Sequence, residues 1–258
     1  MKVFILVDSE GSACVADYGE AQGEFIRQQA THEAAAAIRG AREAGASEIL
    51  INDGGFVRGY TPIGLVLHYN QLPSGIQIAV GPTPLREILD KTFDAAIILG
   101  IHAMAGVEDG VLAHTFSSVG IEAMWLNSRQ IGEIGILSLV FGAYDIPVVM
   151  VSADEAGCRE ALEWLGPIET APTKRGLSTK SAISLHPDDA CELIQEKTEA
   201  ALSRLSEFEP LRIEPPYELR TDCYTEDYAQ TRCERKSGKM VGPKSFVVMA
   251  DDPRKLLY

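Results

Sequence analysis

Two carboxylates stand two residues apart behind an apolar run near the N-terminus, in Val7-Asp8-Ser9-Glu10-Gly11. In extended backbone the side chains of residues i and i+2 point the same way, so Asp8 and Glu10 can aim at one divalent cation. The same D-x-E pattern also serves turns and helix N-caps. His102 follows a second apolar run, in Leu99-Gly100-Ile101-His102-Ala103. Small neighbours leave its imidazole free to reach a metal or move a proton, or to rest on a backbone carbonyl. His114, in Leu112-Ala113-His114-Thr115-Phe116, has the same two readings. Glu133 lies in Gly132-Glu133-Ile134-Gly135, at the start of a nearly uncharged helical stretch. A buried carboxylate there needs a cation, a metal or a hydrogen-bond donor, while a first-turn glutamate is also favoured by the helix dipole.

Other candidates carry less. Gly54-Gly55 and Gly59 do not complete a phosphate-binding glycine motif. His32, His68 and His186 have no evident partner, and the basic run Arg232–Lys239 is interrupted by Glu234, Ser237 and Gly238. The five cysteines are scattered, with no C-x-x-C pair, which points away from a disulfide framework or a thiolate zinc site and towards a reducing compartment.

The elements that must position the five residues alternate. Apolar runs at 2–7, 48–53, 76–80, 95–99, 121–126 and 147–151 read as strands. Helical spacing marks 24–44, ended by Gly45, then 84–91, 131–144, 155–165 and 187–205. Such alternation predicts right-handed βαβ units: an α/β fold with a mostly parallel sheet covered by helices on both faces. Ligands of such sheets sit beyond the carboxyl ends of the strands. Asp8 and Glu10, Asn52 and Asp53, and His102 all follow apolar runs, so three strand ends bring metal-competent groups to one edge. The composition changes at 206–220, with Pro215-Pro216, which reads as a linker. The expected division is a catalytic α/β domain at 1–205 and a small α+β portion at 206–258, with a helix near 226–234 and a strand at 246–249.

At 258 residues the chain can bury a substantial core. A net charge of −14 disfavours nucleic acid as a partner. The five-residue apolar stretch at the N-terminus is too short for a signal peptide or membrane span, so the expected location is the cytoplasm, with no membrane partner.

Taken in order, Val-Asp-Ser-Glu-Gly, Ile-Leu-Ile-Asn-Asp, Leu-Gly-Ile-His-Ala, Leu-Ala-His-Thr-Phe and Leu-Asn-Ser-Arg-Gln-Ile-Gly-Glu-Ile-Gly resemble the DppA-type zinc D-aminopeptidases. The resemblance runs from residue 1 to about 205 and is faint beyond Pro215. It implies metal ligation by Asp8, Glu10, His102 and Glu133, a catalytic role for His114, and a ring-shaped homo-oligomer. It implies one or two Zn2+ per chain, with Mn2+ or Fe2+ tolerated by an oxygen-rich site. The implied activity is release of N-terminal (D-)amino acids from short peptides or amides by metal-activated water. One departure stands out: the family pattern Asn-Asp-x-His carries a further zinc-binding histidine, and Gly55 occupies that place here. An amidase with another amide substrate, or a non-catalytic oligomeric relative that has lost part of the metal site, is the alternative.

Overall fold

The computed structural model describes residues 1–17, 20–53, 67–81 and 83–257. The chain opens with β1 (Lys2–Val7), α1 (Glu20–Glu43), β2 (Glu48–Asp53), β3 (Gln77–Ala79), α2 (Leu85–Ile88) and β4 (Ala95–Ile101). Then come β5 (Ile121–Leu126), β6 (Arg129–Gln130), α3 (Glu133–Gly142), β7 (Val148–Asp154), α4 (Glu155–Leu165), β8 (Glu169–Ser178), β9 (Ser181–Ser184) and α5 (Pro187–Ser203). The chain ends with β10 (Tyr217–Cys223), α6 (Glu226–Arg235), β11 (Lys239–Gly242) and β12 (Ser245–Ala250).

Seven strands form one sheet in the order β3-β2-β1-β4-β7-β8-β9, parallel except for the β8–β9 hairpin. The expected α/β fold with a mostly parallel sheet is therefore present. Its central strands β1, β4 and β7 are almost wholly buried and rich in Val and Ile, as strands covered on both faces must be. Phe4 packs edge-on to Phe93 and tilted on Phe141 of α3, joining sheet and helix in one core. All ten residues of α3 are buried, which explains why its sequence lacks an amphipathic pattern.

Strand order places the site. From β1 the chain winds outward to β2 and β3, then returns to β4 and winds the other way through β7 and β8. The winding reverses between β1 and β4, and at such a switch point the loops leaving the two strands diverge and open a crevice. Asp8 and Glu10 follow β1 directly, and His102 follows β4.

Some expectations change. Strand β5, read as part of the parallel series, instead joins an antiparallel sheet of order β11-β12-β10-β5-β6. That second sheet thus combines β5 and β6 with the strands that follow residue 206. Strand β10 begins inside the stretch read as a linker. It alternates buried and exposed residues (Tyr217, Leu219, Thr221 and Cys223 inward), a period-2 pattern hidden by its charges. Strands β8 and β9 lack an apolar run because β8 carries Pro172, Lys174 and Arg175.

Beyond the ends of β1 and β4 the two backbones stay paired: Asp8 N–H donates to the Leu99 carbonyl at 2.8 Å and Gly11 N–H to the Gly100 carbonyl at 2.7 Å. Gly100 has φ +61°, and a Cβ there would meet the Asp8 carbonyl. A Gly100→Ala substitution adds a left-handed penalty of about 1–2 kcal/mol to that collision. The expected loss is on the order of 3 kcal/mol, a fall in Tm of roughly 6–12 °C, measured by thermal unfolding followed by circular dichroism.

Candidate metal centre

The five sequence-predicted residues converge. His102, almost completely buried, places Nε2 3.3 Å from Glu133 Oε1 and 3.7 Å from Asp8 Oδ2. His114 Nε2 lies 3.9 Å from the same Glu133 oxygen, and its ring stacks on His102 with centroids 3.8 Å apart and planes 16° from parallel. Two overlapping groups have ligand atoms mutually within 4.8 Å: Asp8, His102 and Glu133, and Glu10, His102 and His114. Asp53, also at a strand end, belongs to neither. Its Oδ2 accepts the Tyr69 hydroxyl at 2.8 Å and the Leu67 N–H at 3.4 Å. Asn52 is fully buried in the sheet, and Gly55 lies outside the described residues.

Each donor is aimed by a local device. Ser9 N–H donates to Asp8 Oδ1 at 3.0 Å, and the Ser9 hydroxyl to Glu10 Oε2 at 3.2 Å. His102 Nδ1 is 3.0 Å from the Ala103 carbonyl, and His114 Nδ1 is 2.9 Å from the Leu112 carbonyl. A carbonyl only accepts, so both Nδ1 atoms carry hydrogen and both Nε2 atoms turn to the cluster. Metal-ligating histidines are held in this way. Glu133, the first residue of α3, accepts the Phe116 N–H at 2.7 Å. On either side of His114, Leu112 and Phe116 adopt left-handed backbone (φ +54° and +57°). Such conformations cost bulky residues roughly 1–3 kcal/mol each, and persist where the surroundings over-determine them. Here Leu112 supplies the carbonyl for His114, and Phe116 the N–H for Glu133.

The electrostatics call for a cation. Burial, then the Glu10 charge, raises Asp8 well above the usual carboxylate range. Burial would lower His102, yet Glu133, Asp8 and Glu10 outweigh it and hold the imidazole well above its ordinary value. Burial and the neighbouring His102 lower His114. Burial opposes ionisation of Glu133, but His102, His114 and the Phe116 N–H prevail and lower it. Three carboxylates around one imidazole thus recruit a proton where a metal ion can take its place. A donor set of carboxylate oxygens and Nε2 atoms, with both second nitrogens anchored, fits a divalent metal.

Fold and cluster define an α/β protein with a buried, acidic, cation-attracting centre at the switch point of its parallel sheet. A family model described as D-aminopeptidase matches residues 1–257. A D-aminopeptidase of Bacillus subtilis (strain 168) is 33% identical over 216 residues, covering 82% of this chain and 77% of that protein. The structure of the Zn-dependent D-aminopeptidase DppA from Bacillus subtilis, described as a self-compartmentalizing protease, superposes with a TM-score of 0.89 at 28% identity. That match covers 99% of this chain and 93% of that one. This chain belongs to the D-aminopeptidase family. The match extends through the C-terminal strands, well past the residues near 205 where recognisable sequence motifs thin out.

Sequence reasoning missed Glu160. It is buried on the inner face of α4 with Ala156, Gly157, Ala161 and Trp164, and its Oε2 accepts the Met104 N–H at 2.7 Å, two residues beyond His102. A glutamate at an apolar helical position was the available signal. Burial pushes its carboxyl up to about 7. The unfolded chain releases this proton near pH 4.3 and the folded chain near 7, so folded protein binds more protons between them and stability falls as pH rises through that window. Glu160→Gln should remove this slope. Denaturant unfolding of metal-free protein is expected to show the variant gaining roughly 2–4 kcal/mol on wild type between pH 4.5 and 7.5.

Proposed function

We propose that this protein is a metal-dependent aminopeptidase that releases N-terminal (D-)amino acids from short peptides or amides. The observation that carries the reading is the convergence of Asp8, Glu10, His102, Glu133 and His114 at the sheet's switch point, in a chain of this family. Asp8, Glu10, His102 and Glu133 would hold zinc; the carboxylate-rich set also accommodates manganese or iron. When bound, such an ion supplies Lewis acidity to water and to the scissile carbonyl. His114 turns Nε2 to the centre while its Nδ1 hydrogen stays on the Leu112 carbonyl, so Nε2 can take up a proton and deliver it to the leaving amine.

Metal number is one or two per chain. A second reading places His114 among the ligands, because Glu10, His102 and His114 can share one ion, compensating for Gly55. We further propose a ring-like homo-oligomer, as the description of DppA as self-compartmentalizing suggests, and a cytoplasmic location. All five cysteines are free, which fits a reducing compartment, and no helix among the described residues is long and apolar enough to cross a membrane.

Elemental analysis of protein purified without chelator, with turnover of D- and L-aminoacyl amides and N-acyl amides, tests the reading. His102→Ala is expected to lower bound metal at least about tenfold and to abolish turnover with the fold retained. Normal metal and turnover in that variant would sink the assignment. His114→Ala should keep metal and lose turnover if it moves protons, and lose metal too if it is a ligand. Cleavage confined to N-acyl amides would point to the amidase alternative.

A further inference from the structure

The segment that carries Asp8 and Glu10 leaves β1 without regular structure and crosses the carboxyl edge of the sheet, past β4 and β7, to β8. Its carbonyls at Glu10, Ser12 and Val15 converge on one atom, Lys174 Nζ, at 2.6, 2.7 and 2.6 Å. Beside it, Thr173 Oγ1 donates to the Gly11 carbonyl at 2.5 Å. From α1, Glu33 Oε1 accepts the Ala13 N–H at 2.8 Å and is itself held by Gln29 Nε2 at 2.9 Å. From β9, Ser184 Oγ accepts the Cys14 N–H at 2.7 Å. Lys174 is only 3% exposed, and a buried ammonium is costly where simple packing would suffice. Its three N–H donors are used up by these three carbonyls, and Glu33 supplies the leading opposing charge. One point charge thereby fixes three peptide groups spread over six residues. No apolar side chain could do the same.

We infer that Lys174, with Thr173 beside it, is a positioning residue: it ties residues 10–15 into the conformation in which Asp8 and Glu10 face His102 and Glu133, and so sets the affinity and geometry of metal binding. This rests on the ligand assignment proposed above. Neither residue touches the clustered donor atoms. They act through the backbone, as outer supports of metal ligands do, whose loss typically costs 10–100-fold in affinity.

The test uses the full chain, stripped of metal and titrated with Co2+ while the visible ligand-field spectrum is recorded, with Zn2+ affinity obtained by chelator competition. Wild type should bind. Lys174→Met should bind Zn2+ about 10–100-fold more weakly and show altered position and intensity of the cobalt bands. Thr173→Val, which removes the hydroxyl's ties to the Gly11 and Ala153 carbonyls and leaves Lys174 in place, should show a smaller loss and a smaller spectral change, and it decides the matter if Lys174→Met does not fold. Thermal unfolding of the metal-free proteins separates a merely structural role: lowered Tm with wild-type affinity and spectrum in the folded variants overturns the inference and leaves the ligands standing. A wild-type chain that binds neither ion overturns the ligand assignment, and this inference with it.

Discussion

Three carboxylates within reach of one buried imidazole repel one another, and burial deprives them of the water that would screen the repulsion. Asp8, Glu10 and Glu133 stay together because positive charge holds them, a proton on His102 or an ion in its place. Much of the surrounding structure serves that condition. The Phe116 N–H braces Glu133, and Ser9 braces both Asp8 and Glu10. Two backbone carbonyls fix the imidazoles so that neither can swing its Nε2 away. The centre is costly as a piece of folding and useful as a trap for a cation.

The sheet makes this arrangement possible. Because its winding reverses between β1 and β4, the loops leaving these adjacent strands diverge and open a crevice at their carboxyl ends. The two strand ends stay hydrogen-bonded as far as Gly11 and Gly100, where a side chain would have no room, so the donors after β1 and those after β4 share one frame. Glu133 arrives from α3, whose burial on every side makes its first turn a rigid mount.

Most of this was legible in the sequence where it depended on local pattern. The buried strands read as apolar runs, and β1 and β4 are followed directly by Asp8, Glu10 and His102 of the centre. Asp8, His102 and Glu133 stood out because charged or imidazole groups interrupted segments otherwise fit for a core. Partnerships across the chain were not legible. Nothing local to Ile121–Leu126 says that its partner is β10, nearly a hundred residues away, and not the parallel sheet. Lys174 sits in a strand whose composition suggests a surface, and only the arrival of residues 10–15 above it makes a buried ammonium worthwhile. Asp53 illustrates the reverse: it too follows a strand, yet the partners of its Oδ2, Leu67 and Tyr69, come from a segment whose approach no local pattern announces.

The left-handed residues flanking His114 bear on how this chain can change. Glycine or asparagine would occupy positions 112 and 116 with less strain than Leu and Phe. Selection for thermal endurance alone would therefore drift towards those residues, and the holds on His114 and Glu133, made by the backbone carbonyl of 112 and the backbone N–H of 116, would pass unchanged to them. What Phe116 adds is its ring, packed against the core, so the surroundings hold its strained backbone in place.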